Sequence, residues 1–166
     1  MTKEDLQKIA VAAALNAGID PALVCAVCAT ESSWNPDATR YEPAFYKRYI
    51  ESMTGLSMTE KTDRATSFGL MQIMGQVARE QGFDEPDLRA GLLNPLNAVT
   101  QGCRKLKKCL SLETHEHGTY AEDVNAGLLR YNGGGDANYP ALVMSHYNDY
   151  AYLNSIPDRE KPEESA

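Results

Sequence analysis

Apolar positions recur along most of this chain with a helical period. Leu6, Ile9, Ala10 and Ala13 share one face of residues 3–17, with Thr2 placed to cap the start and Gly18 to end the helix. Asp20 before Pro21 is a second start signal, and the stripe Val24, Val27, Cys28, Glu31 carries the next helix to about residue 33. A carboxylate therefore stands in a slot that the period turns towards the core. Asn94 and Pro95 open a longer helix to about residue 110, with Leu96, Val99, Cys103, Leu106 and Leu110 on its buried side. Arg104, Lys105, Lys107 and Lys108 gather at its C-terminal end, where positive charge complements the helix dipole. A helix over about 119–130 carries Ala121, Val124 and Leu128, and the last one bears Tyr139, Leu142, Val143, His146, Tyr150 and Leu153. Hardly any strand pattern is visible, so the expected class is mainly α.

Residues 35–66 interrupt this regularity, with short helical candidates at 45–52 and 57–64. Four aromatic side chains between Tyr41 and Tyr49 point to an ordered excursion. The end of the chain, 157–166, is polar and Pro-broken, which predicts one domain over 1–156 and a frayed tail.

A length of 166 residues with 43% hydrophobic content suits one domain with a real core. Sixteen Lys and Arg against 23 Asp and Glu leave a net charge of -7 without a basic block, which argues against a nucleic-acid partner. No apolar run reaches membrane-spanning length, and "IAVAAAL" near the start, preceded by acidic residues, lacks the layout of a secretory signal. The expectation is a cytosolic product with no stable membrane insertion, carried by some other agent to any target outside the cytoplasm.

Cys25, Cys28, Cys103 and Cys109 suit buried thiols better than disulfides or a metal site, because "CAVC" lies within continuous helix rather than a Gly-rich turn. His115 and His117 in "THEHG" lack a third ligand, and His146 reads as a core or rim residue. No cofactor motif is present, so neither metal nor cofactor is expected.

Glu31 is the candidate with chemistry. A carboxyl among Val and Cys side chains at a helix end is desolvated, its charged form is disfavoured, and it keeps a proton near neutral pH as a general acid must. The alternative from position alone is a Glu that caps the helix or pairs with an Arg.

Four segments then narrow the reading: "ATESSWNPDA" (29–38), "SFGLMQIM" (67–74), "NPLNAVTQGCRKL" (94–106) and "LLRYNGGG" (128–135). In order and approximate spacing they resemble the lysozyme-like lytic transglycosylase domain of the soluble lytic transglycosylase (SLT) type, across roughly residues 5–150. The resemblance implies a goose-type, lysozyme-like fold in a monomer. It also implies cleavage of the β-1,4 bond between N-acetylmuramic acid and N-acetylglucosamine in peptidoglycan glycan strands. It places the catalytic role on Glu31, which would protonate the leaving oxygen and then take the C6 hydroxyl proton, closing a 1,6-anhydro ring without water.

By the same resemblance Gln72 and Met74 line the cleft, with Tyr131 and Asn132 of "YNGG" beside them. Tyr131 would aim its phenol at Glu31 or at substrate, and Ser67 would bond Glu31 or glycan. Gly69 would let the chain pass close to the sugar and to the second helix. Two departures stand out: residues 40–64 form an insertion expected to overhang the cleft, and the stretch after "YNGG" is shortened, leaving Asp136 near a substrate-contacting position.

Glu42 keeps three readings. It pairs with Arg40 or Arg48 as a loop anchor, positions substrate or Glu31, or serves as base for a water, which would make the enzyme a hydrolysing, lysozyme-type muramidase. A noncatalytic glycan-binding or structural module is the reading from another class. The setting that fits a signal-less wall-cleaving domain is a phage endolysin released by a holin, or a virion-associated enzyme.

Overall fold

The computed structural model of the protein describes residues 1–111 and 120–155. The "THEHG" pair His115 and His117 and the 157–166 tail lie outside the described residues. Helix α1 (Lys3–Ala17) starts in a capping box, Thr2 and Asp5 each bonding the other's backbone N–H, and stops at left-handed Gly18. Its Leu6, Ala10, Ala13 and Ala14 are buried, so "IAVAAAL" gives one face to the core. Asp20 caps α2 (Pro21–Ser32) by accepting from the Ala22 and Leu23 N–H groups, and every residue from Ala22 to Ala29 is buried. A helix apolar all round must be enclosed on all sides. Here α9 (Tyr139–Tyr150) and α1 cover it, while α7 (Pro95–Ser111) packs on α1 and on α8 (Tyr120–Asn132).

The five long helices thus fall where the apolar stripes put them, with two local corrections. Leu96 and Leu142, placed on buried stripes, are 54% and 47% exposed. Each lies in the first turn of its helix, where the stripe runs out past the neighbouring element. The last helix also tightens into a 3-10 turn over Ala151–Ser155.

The larger correction is a three-stranded antiparallel sheet, β1 (Thr39–Tyr41), β2 (Thr66–Phe68) and β3 (Ile73–Met74), in the order β1-β2-β3. Strands of two or three residues are too short to display a period of two, which is why the sequence hides them. The insertion therefore begins as a sheet edge. It continues through α3 (Pro43–Phe45), a π-turn (Tyr46–Ile50) and the Ser57-capped α4 (Met58–Arg64), close to the two short helices expected there. Beyond the sheet, α5 (Gly75–Glu80) and α6 (Leu88–Leu93) are under two turns each and had no visible stripe.

Ion pairs brace this half of the molecule. Glu60 receives Arg79 through both carboxylate oxygens and also Arg64, and buried Asp63 holds Arg89, whose guanidinium lies 5.2 Å from the Phe68 ring centre. Gly102 of α7 is where Met71 packs against the helix, since a Cβ there would collide with the Met71 side chain. All four cysteines are free and buried. Burial pushes the Cys25 and Cys103 thiols up to about 12 and Cys28 well above its usual range. Among the described residues, no helix is long and apolar enough to cross a membrane.

Candidate functional site

Glu31 lies in the last turn of α2, and the chain beyond it is strained. Ser33 and Trp34 both have positive φ, at 51° and 66°, and Gln72 at 46° is the other non-glycine residue of this kind among the described residues. Each such residue costs about 1–3 kcal/mol and persists only where neighbours over-determine it. The restraints are visible. Ser32 donates its hydroxyl to the Cys28 and Leu70 carbonyls, and Trp34 donates Nε1–H to the Tyr150 hydroxyl at 2.8 Å with the rings edge to face. The Gln72 amide donates to the Ala38 and Gly69 carbonyls at 3.1 and 3.0 Å. The end of α2, the start of β1 and the β2–β3 turn are thereby tied into one frame.

Gly69 completes it, at φ 68° and packed so tightly that a Cβ would sit 2.9 Å from Ala98 Cβ and 3.1 Å from the Leu92 carbonyl. A Cβ at Gly69 would thus meet α6 and α7, while the next residue, Leu70, accepts from Ser32 at the end of α2.

The Glu31 carboxyl is half-buried and accepts a 2.6 Å hydrogen bond at Oε1 from the Tyr139 hydroxyl. Burial raises its pKa from the usual carboxylate value, against the Tyr139 bond and the charges of Lys105 and Arg40, which favour the anion. Lys105 is itself largely desolvated, which lowers its pKa, and its ammonium sits 4.3 Å from the centre of the Tyr131 ring. Arg40 approaches from the sheet. Its register partner is Ser67, which in turn pairs with Met74, and directly opposed residues project from the same face. Arg40, Ser67 and Met74 thus form a row across the sheet.

Each expected site residue now has a place. Met74 is half-buried on that row, and Ser67 is 5% exposed in the central strand with no side-chain hydrogen bond, to Glu31 or otherwise, among the described residues. Gln72 is half-buried and turns its amide nitrogen to the frame.

Tyr131 is corrected as well. It is 2% exposed and donates its hydroxyl to the Met71 carbonyl at 2.8 Å, so the phenol on Glu31 is that of Tyr139 instead. Asn132 accepts the Asp136 N–H, and Asp136 accepts the Asn138 N–H, so "YNGGGDAN" is a hydrogen-bonded turn that delivers Tyr139 to the start of α9. Glu42 pairs with Arg40 at 2.6 Å, an ion pair whose Oε1 is close but not aligned as a hydrogen bond, and its backbone N–H donates to the Ala65 carbonyl. Of the three readings for Glu42, this contact is the loop anchor. His146 is a rim residue, 3.9 Å from Asp149.

Sequence reasoning missed Tyr139, Lys105 and Arg40 as neighbours of Glu31. Tyr139 read as one more core aromatic, and its polar tip was the only available signal. Lys105 is indistinguishable in sequence from its solvated neighbours.

The arrangement can deliver a proton from a desolvated carboxyl and then hold the resulting carboxylate against two cations and a phenol. Among the described residues, no three His, Cys, Asp or Glu side chains converge as a metal site.

Comparison with known proteins agrees with the motifs. No curated protein and no solved structure matches the chain significantly, whereas the family model described as "Transglycosylase SLT domain" matches residues 8–148. With a lysozyme-like, mainly α fold and a match over most of its length, the chain belongs to the transglycosylase SLT domain family, the lytic transglycosylases that cleave glycosidic bonds of peptidoglycan.

Proposed function

We propose that Glu31 is the sole acid and base of this transglycosylase. The observation that carries the reading is the Glu31 carboxyl itself, half-buried at a helix end, raised in pKa by desolvation and oriented by the 2.6 Å bond from Tyr139. As the acid it gives its proton to the glycosidic oxygen, and the bond from muramic acid C1 to that oxygen breaks. The positive charge developing at C1 faces a carboxylate. Glu31 then takes the proton of the C6 hydroxyl while O6 bonds to C1, giving a 1,6-anhydro-muramic end and regenerating the acid. No water is consumed. Lys105, Arg40 and Tyr139 hold the anionic stage between the two transfers.

Met74, Ser67 and Gln72 line the substrate side of this site, and Tyr131, Asn132 and Glu42 support it from behind. The protein acts as a monomeric single domain over 1–156. Delivery to the wall by a holin or within a virion belongs to the same reading.

The test is digestion of purified peptidoglycan with wild type and Glu31→Gln, read by mass spectrometry. Wild-type 1,6-anhydro ends and no turnover by the variant are expected. Full activity of Glu31→Gln would remove the assignment, and reducing muramic ends would replace ring closure by hydrolysis.

A further inference from the structure

The segment from β1 through the π-turn, residues 39–50, lies outside all four family motifs, yet it is firmly built. Ile50 is fully buried, Glu42 N–H bonds the Ala65 carbonyl at 2.8 Å, and Lys61 donates to the Glu51 carbonyl at 2.7 Å just beyond the turn. The platform shows aromatic faces to solvent. Tyr41 and Tyr46 pair with ring centres 6.1 Å apart, Phe45 and Tyr49 with centres 4.9 Å apart, and Tyr41 and Tyr49 are 44% and 49% exposed. The wide π-turn, closed by Glu51 N–H to the Tyr46 carbonyl, carries Tyr46 and Tyr49 on the same short stretch. Arg48 lies 5.2 Å from the Tyr49 ring centre, and Lys47 and Arg40 are exposed beside it. Three cations against Glu42 make this stretch locally positive in a chain of net charge -7.

Its position gives the patch a use. Arg40 heads the row Arg40–Ser67–Met74, and Tyr41 is the next residue of the same strand, so the platform runs on directly from the edge strand of the sheet that carries Ser67 and Met74. Exposed, preorganised aromatic rings bind flat apolar faces at little entropic cost, and the CH face of a pyranose is such a surface. The cations suit the carboxylates of peptide stems.

We propose that Tyr41, Phe45, Tyr46 and Tyr49, with Lys47 and Arg48, form an additional glycan-strand subsite that stacks sugar rings of the stem-bearing polymer beyond the scissile bond. The proposal rests on the reading that the Glu31 face is the substrate cleft, and it is tested by binding rather than turnover so that the two can fail separately.

Binding of the full chain to purified peptidoglycan strands is measured by sedimentation, alongside the ring resonances of Tyr41 and Tyr49 during titration with the same strands. The Tyr41→Ala/Tyr49→Ala double variant, with Tm checked, is expected to bind about tenfold more weakly, and Tyr41→Phe/Tyr49→Phe to bind like wild type, because stacking needs the ring and not the hydroxyl. In the wild-type chain both sets of ring resonances shift. Unchanged binding by the Ala pair, unmoved resonances, or an equal loss in the Phe pair would each overturn the subsite.

Discussion

Replacing Tyr131 by Phe separates a structural phenol from a catalytic one. The substitution removes a single hydroxyl that is buried and bonded at 2.8 Å to the Met71 carbonyl, while the ring beneath Lys105 remains. The loss comprises a net hydrogen bond of about 0.5–1.5 kcal/mol and the desolvation of a carbonyl left without its donor, together about 1–3 kcal/mol. For a domain of this size each kcal/mol lowers Tm by roughly 2–4 °C, so a drop of roughly 3–10 °C is expected in differential scanning calorimetry. Activity on peptidoglycan, measured well below that transition, is retained. A phenol that transferred protons would instead cost on the order of 10²-fold in kcat/KM. A loss of that order with Tm unchanged would refute the argument that burial and the Met71 bond make Tyr131 a strut.

Tyr139→Phe has the opposite profile. The hydroxyl favours the Glu31 carboxylate, so its removal raises the Glu31 pKa further; because the first step needs the protonated acid, the limb of kcat/KM that falls with rising pH moves to higher pH. Lys105→Met moves the same limb in the same direction by removing a cation, and a limb that stays in place in both variants would show that it belongs to another group. Glu31→Gln also alters stability with pH. A carboxyl whose pKa is raised on folding keeps its stability contribution below the unfolded value near 4.5 and loses it as pH rises through the folded pKa, so the variant's Tm should exceed that of wild type at neutral pH and converge with it in acid. Cys25, Cys28 and Cys103 should resist thiol reagents until the chain unfolds, a point checked by labelling across a urea titration.

What was legible in the sequence follows from length and repetition. The long helices announce themselves because a stripe repeated over three or more turns is hard to produce by accident, and Glu31 stands out as the one carboxylate on such a stripe. The sheet was invisible because its strands have no room for a period. The companions of Glu31 were obscured for a different reason: Tyr139 and Lys105 are brought to it by the packing of α9 on α2 and of α7 on α1 and α8, and a local pattern carries no record of which face meets which. Tyr131 shows the converse, a tyrosine next to a recognisable motif whose hydroxyl is turned inward by the helix that bears it.

The bonds that finish the acid's surroundings span almost the whole chain, Glu31 to Tyr139 across 108 positions and Trp34 to Tyr150 across 116. A ribosome delivers the acid early and its partners late. Contacts of such separation form only after the intervening chain has been ordered, so a nascent polypeptide ending before α9 holds α2 with one side uncovered and Glu31 without its phenol. The surroundings of Glu31 are thus completed only when the last helix is in place.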